Sequence, residues 1–181
     1  MDAIELLEHD HRMVEQLFRD FEAAASDDQK KGVVDIMIRE LSKHAALEEL
    51  MVYPLAKKVL PDGEREIDEH LEEHMAVKKL LSELDGMKPD DDRLPGLMGE
   101  LRKDVEEHVQ EEEHDMFPRF RELVDQEALD ELGKALDEGK KTAPTRPHPH
   151  APTEPPVLAL AAPVAAIYDR MRDRLQGRPT T

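Results

Sequence analysis

Apolar residues recur along this chain at alternating three- and four-residue steps, the period of a helix with one buried stripe. The first stripe is Ile4, Leu7, His11, Val14, Phe18 and Phe21, which predicts a helix from about Asp2 to Ala24. Ser26-Asp27-Asp28 reads as a turn and a helix start. The second stripe is Val34, Met37, Leu41, His44, Glu48, Met51 and Leu55, with Pro54 expected to kink the helix near its end. After the turn Pro61-Asp62-Gly63 comes a third stripe, Ile67, His70, His74, Val77, Leu81 and Leu84. A loop from Gly86 to Asp92 leads to the fourth, Leu94, Met98, Leu101, Val105, His108 and Glu112, with Pro118 late in that helix. A short fifth helix is predicted from Gln126 to Asp137, ending at Gly139.

The four long helices form two copies of one pattern. His44-x-x-x-Glu48-Glu49 with Tyr53-Pro54 recurs 64 residues later as His108-x-x-x-Glu112-Glu113 with Phe117-Pro118, and His11 recurs as His74 after 63 residues. Two helix hairpins of one pattern pack naturally as an all-α, up-down-up-down four-helix bundle. The short fifth helix completes a first unit over residues 1–139. Residues 140–156 form a linker rich in Pro, Thr and His. Residues 157–181 carry an amphipathic tail helix, Pro163 to Gln176, whose apolar face is Val164, Ile167, Tyr168, Met171 and Leu175 and whose end is Gly177.

Seven stripe positions that should be apolar are not: His11, His44, Glu48, His70, His74, His108 and Glu112. Partners equidistant from a turn lie side by side in an antiparallel hairpin. His11 and His44 are centred between residues 27 and 28, Glu48 and His74 on residue 61, and His74 and His108 on residue 91, each inside a predicted turn. The seven therefore make one layer of the bundle. Unpaired polar groups in a core cost several kcal/mol, and a metal centre would convert that cost into binding energy. The (i, i+4) pairs His44/Glu48, His70/His74 and His108/Glu112 put both members on one helix face. Imidazoles suit Fe, Zn, Cu or Ni, and carboxylates add a preference for harder ions. His70 differs from the rest, because its counterpart in the repeat is Leu7; the competing reading makes it a surface or supporting imidazole. Glu49 and Glu113 are expected to be solvated or to support the ligands, Tyr53 to pack ordinarily, with the pocket rim as its alternative, and His9, His114, His148 and His150 to be exposed.

Composition narrows the classes. With 181 residues, 38% charged and 3% aromatic, the chain suits a helical domain with an aliphatic core. It has no cysteine, which excludes thiolate sites and disulfides. The start lacks a signal-peptide pattern and no apolar run spans a bilayer, so a cytoplasmic protein without membrane contact is expected. The net charge of −18 argues against nucleic acid. Residues 140–181 hold seven Lys/Arg against three Asp/Glu, a net +4, which leaves −22 on residues 1–139. The basic tail helix is thus expected to pack on its own acidic bundle or on a second copy.

Asp10-His11, His44-x-x-x-Glu48, His70-x-x-x-His74 and His108-x-x-x-Glu112, with the Glu-Glu and Tyr-Pro or Phe-Pro that follow, resemble the hemerythrin-like (HHE cation-binding) domain over about residues 3–125. The resemblance implies a centre of two non-haem iron ions, oxo- or hydroxo-bridged. It implies one iron on His70, His74 and His108, the other on His11 and His44, and bridges from Glu48 and Glu112. The iron with two imidazoles then keeps a position for oxygen, hydrogen peroxide or nitric oxide. Oxygen-carrying hemerythrins have an Asp five residues after the last His, whereas Glu112 follows His108 by four, as in the broader bacterial family. The expected function is binding or reduction of such a small oxidant, with catalase-like or peroxidase-like activity as one form of it. The alternatives are an iron reservoir or an iron or oxygen sensor without turnover, and a structural metal bundle.

Overall fold

A computed structural model of the chain describes residues 1–151 and 161–176. The described residues are helical, with connecting turns and loops and no strand. Helix α1 (Ala3–Ala23) is followed by a rod built of α2 (Asp27–Leu47), a π-helical turn (Glu48–Val52) and α3 (Tyr53–Val59). Helix α4 (Gly63–Asp85) returns, and a second rod follows: α5 (Leu94–Glu111), a π-helical turn (Glu112–Met116) and α6 (Phe117–Leu123). Helices α7 (Gln126–Gly139) and α8 (Ala161–Leu175) complete the order. α1 packs on α2, α4 on α5, and α2 on α4, giving the expected bundle.

Starts are chemically marked. Asp2 accepts from the Glu5 backbone N–H at 3.0 Å while Glu5 accepts from the Asp2 N–H at 3.0 Å, a reciprocal cap on α1. Ser26 and Asp125 cap α2 and α7 in the simpler way.

Pro54 and Pro118 do not break the helical rods, which run on through both prolines. A proline has no N–H to give and crowds the carbonyl four residues back. The chain relieves this by one wide turn just before each proline. Tyr53 N–H donates to the Glu48 carbonyl and Phe117 N–H to the Glu112 carbonyl, five residues back in both cases. Both wide turns begin on a seam glutamate.

The core has two apolar clusters. One gathers Val14, Phe18, Val34, Met37, Leu81, Leu84 and Leu101 toward the α1–α2 and α4–α5 turns. The other gathers Ile4, Leu7, Leu55, Ile67, Phe120 and residues of α7 and α8. The polar layer lies between them. α7 packs on α1, and α8 on α7 and α3. Of the expected tail face, Val164, Ile167 and Met171 are buried, Tyr168 is partly buried beneath Lys58, and Leu175 is exposed. The tail helix thus packs on its own bundle, tied by Arg170 to Glu131 and Arg174 to Asp125. Gly177 and linker residues 152–156 lie outside the described residues. Among those described, no helix is long and apolar enough to cross a membrane.

Candidate metal centre

All seven polar seam residues meet in one layer, and all are buried, Glu48 and Glu112 completely. Their inward atoms converge. His11 Nε2 lies 3.2 Å from His44 Nε2, and His74 Nε2 lies 3.1 Å from His108 Nε2. Each glutamate touches an imidazole of either hairpin. Glu48 Oε2 is 3.3 Å from His44 Nε2 and 3.4 Å from His74 Nε2. Glu112 Oε2 is 3.4 Å from His11 Nε2, and its Oε1 is 3.5 Å from His108 Nε2. Two donor atoms bound to one ion at about 2.0–2.2 Å lie roughly 2.8–3.6 Å apart at angles between square and tetrahedral. The observed separations fall in that window.

The donor set asks for a cation. Both oxygens of Glu48 and Oε2 of Glu112 are buried with no hydrogen-bond donor. A buried carboxylate left that way is strongly penalised. Donor atoms of His11, His44, Glu48 and Glu112 form one compact group; those of Glu48, His74 and His108, and of His70, His108 and Glu112, form two more. The groups overlap through Glu48, Glu112 and His108. His70 comes to the layer at its edge, its ring 5.1 Å from that of His108.

A ring of carboxylates surrounds this layer and fixes the imidazoles. His11 Nδ1 meets Glu113 at 2.8 Å, His74 Nδ1 meets Glu49 at 3.0 Å, and His108 Nδ1 meets Glu73 at 2.6 Å. His70 Nδ1 shares Glu73 at 3.2 Å; His44 Nδ1 faces Asp10 at 3.6 Å, beyond hydrogen-bond distance, and is the one seam Nδ1 left without a hydrogen-bond partner. A carboxylate on Nδ1 holds the proton there, leaves Nε2 free to bind, and locks the ring plane. The repeat reproduces this ring: Glu49 and Glu113 are counterparts, as are Asp10 and Glu73. Hydrogen bonds from His108 and His70 hold the Glu73 carboxyl well below the ordinary range. Glu113 is lowered by His11, against a partial burial that raises it. Three cations close the ring from outside: Arg12 on Glu113, Lys78 on Glu49 at 2.7 Å, and Lys140 on Asp10 at 2.6 Å.

Tyr53 does not pack ordinarily. It is fully buried, and its hydroxyl donates to Glu112 Oε1 at 3.0 Å and lies 3.1 Å from His74 Nε2. Burial raises its pKa well above the usual phenol value, and the charges of Glu112 and Glu48 raise it further, so the phenol is neutral and donates. Its counterpart Phe117 has no hydroxyl and stacks on the His11 ring at 5.9 Å. With Leu7 standing opposite His70, the two halves differ. The His74/His108 half gains an imidazole and a phenol where the His11/His44 half has hydrocarbon.

On the turn side of the layer lies a cavity of about 30 Å³. His11, His44, His74 and His108 form its floor, and Val14, Leu41, Val77, Val105 and Val109 its walls. An outer groove between α1 and α5 shares His11, Val14, Val105 and Val109 with it. His9 and His114 are exposed, as are His148 and His150.

Asp10, Glu73 and Tyr53 are parts of this arrangement that the stripe pattern does not mark. The repeat carried the signal for the two acids, since each precedes a seam histidine by one residue.

Comparisons with known proteins agree with the geometry. Residues 2–120 match the hemerythrin HHE cation binding domain. An uncharacterized hemerythrin-like protein of Schizosaccharomyces pombe is 28% identical over 171 residues, covering 94% of this chain and 84% of that one. A DNA nickase of a Nostoc species is 23% identical over 131 residues, covering 72% of this chain but 37% of the nickase. The crystal structure of a hemerythrin HHE cation binding domain-containing protein from Mycobacterium kansasii superposes with a TM-score of 0.68 at 24% identity, covering 78% of this chain and 86% of that one. With a layer of His and Glu clusters able to hold metal inside a repeated helical bundle, the chain belongs to the hemerythrin HHE cation-binding family.

Proposed function

We propose that this chain is a non-haem di-iron protein that binds or reduces a small oxidant: oxygen, hydrogen peroxide or nitric oxide. His70, His74 and His108 would hold one ion, His11 and His44 the other, and Glu48 and Glu112 would bridge them. Six buried or half-buried carboxylates in and around the layer (Asp10, Glu48, Glu49, Glu73, Glu112 and Glu113) face three side-chain cations, Arg12, Lys78 and Lys140, so two divalent ions suit the charge. Bound iron supplies electrons and an accessible coordination position. The protein side chains supply the rest. The Nδ1 carboxylates aim the imidazoles, Tyr53 holds Glu112, and the valine walls exclude bulk water.

The observation that carries the reading is the cavity. About 30 Å³ over the four imidazoles leaves room beside them for a small guest of this kind. Valine walls favour an uncharged guest.

The test is metal analysis and an optical spectrum of protein purified in air, followed by addition of hydrogen peroxide and, anaerobically, nitric oxide. About two iron per chain, a near-ultraviolet charge-transfer band and a change of that band with an oxidant are expected. Peroxide breakdown identifies turnover; a band that stays constant while iron leaves slowly to a chelator identifies a reservoir. Zinc with no optical response overturns the di-iron reading. His108→Ala should lose at least one ion and His9→Ala none; equal iron in both overturns the ligand assignment.

A further inference from the structure

Asp10 and Glu73 hold equivalent places in the repeat but are braced differently. Glu73 is shared by two imidazoles, His70 at 3.2 Å and His108 at 2.6 Å. Asp10 faces one, His44, at 3.6 Å through Oδ2. Its other oxygen, Oδ1, accepts from Lys140 Nζ at 2.6 Å. Where the second half of the centre has an imidazole, the first half has an ammonium brought from outside the repeat.

Lys140 follows directly on α7, and the linker read from sequence begins with it. Two glycines of α7 explain how it gets there. A Cβ on Gly133 would stand 2.7 Å from the Met1 carbonyl oxygen and 2.8 Å from the Asp2 carbonyl carbon. A Cβ on Gly139 would stand 2.7 Å from Leu47 Cδ2 and 3.1 Å from Met51 Cε. α7 therefore lies directly against the start of α1 at one point and against the π-helical turn of the first rod at its end. Thr142 and Ala143 N–H both donate to the Gly139 carbonyl, which closes the helix there. So seated, Lys140 reaches back to α1.

We infer that Lys140 is a positioning residue for the His11/His44 half of the centre. Through Asp10 it keeps the His44 ring turned with Nε2 inward, so that docking of α7 sets how firmly this half keeps its ion. Asp10 is buried, Lys140 holds its Oδ1, and its Oδ2 faces His44 Nδ1, a buried nitrogen with no hydrogen-bond partner, at 3.6 Å. Without the ammonium, Oδ1 loses its donor and the carboxylate is free to swing from the imidazole it orients. His74 and His108 rest on Glu49 and Glu73, which Lys140 does not touch. The effect is therefore confined to one ion. The inference rests on the two-ion reading above.

The full-length protein is loaded with iron(II), and separately with cobalt(II), and release to a chelator is followed for wild type, Lys140→Met, Lys140→Arg, Asp10→Asn and Lys141→Met. Lys141 pairs with exposed Glu138 and serves as the control. Lys140→Met and Asp10→Asn should release one equivalent roughly 10- to 100-fold faster, the usual cost of removing a ligand's outer support. The second equivalent should leave at the wild-type rate, and the cobalt spectrum should change for one ion only. Lys140→Arg should restore slow release, and Lys141→Met should match wild type. Wild-type release of both equivalents from Lys140→Met overturns the inference. So does equal acceleration of both ions with loss of helix content, which marks a merely structural contact. A wild-type protein that takes up no ion overturns the metal reading itself, and this inference with it.

Discussion

Tyr53→Phe is the most discriminating single substitution. It removes one oxygen and leaves the ring, so packing against His70 and His74 is kept. The hydroxyl donates to Glu112 Oε1 at 3.0 Å inside a fully buried layer, where Glu112 Oε2 already lacks a donor. A buried hydrogen bond to a charged acceptor is worth about 1.5–3 kcal/mol. At about 2–4 °C per kcal/mol for a protein of this size, the metal-free protein should melt roughly 3–12 °C lower. Loaded with iron, the loss should shrink, because the ions then satisfy the same carboxylate. Thermal unfolding followed by circular dichroism, with and without metal, measures both. Tyr168→Phe, on the partly buried tail tyrosine, should melt within about 1 °C of wild type, as surface changes usually do. An unchanged melting temperature in metal-free Tyr53→Phe would refute the hydrogen bond to Glu112. An equal loss with and without iron would refute the idea that phenol and metal serve the same oxygen atoms.

Metal affinity should climb with pH. In the metal-free protein, burial disfavours charge on His44, but Glu48 and Asp10 outweigh it and raise its pKa to about 10. His74 is raised to about 9 by Glu48 and Glu49 against the same burial. Raised values stabilise the metal-free fold fully below the ordinary histidine value of 6.5, and that stability is lost as pH rises through about 9 to 10. Ions need neutral imidazoles, so loading expels the protons of His44 and His74 at least, and these two alone should raise affinity by roughly 100-fold per pH unit up to pH 9; a flat chelator-competition profile would contradict this. A chain ending at residue 151 should keep its metal content, lose a few kcal/mol of stability from uncovering the docking site of Val164, Ile167 and Met171, and bind a hydrophobic dye. Unchanged dye binding would mean that α8 covers nothing. Gly133→Ala should destabilise by about 1–3 kcal/mol through its clash with the Met1–Ala3 backbone. Gly32→Ala, with open space around it, should stabilise by about 0.5–1 kcal/mol; denaturant titration distinguishes the two signs.

The seam periodicity, the repeat and the turn midpoints were enough to define the bundle and to bring His11, His44, Glu48, His70, His74, His108 and Glu112 to one level. These follow from the regular α-helical rotation of about 100° per residue, which a sequence displays directly. What escaped the sequence lay where that rotation fails or where a neighbouring element intervenes. Five residues of α-helix would put Tyr53 about 140° from Glu48. The π-helical turn enforced by Pro54 holds more residues per turn and swings the phenol back onto the Glu48 face. For Glu49 and Glu113 the sequence left solvation and support of the ligands both open; an adjacent helix decides for support, of His74 and His11. Lys140, read as linker, reaches Asp10 only because glycines let α7 lie close against the bundle. Helical period is local and legible in the chain. The angle at which one helix meets another is a packing outcome, and it decided which charged residues stand around the centre.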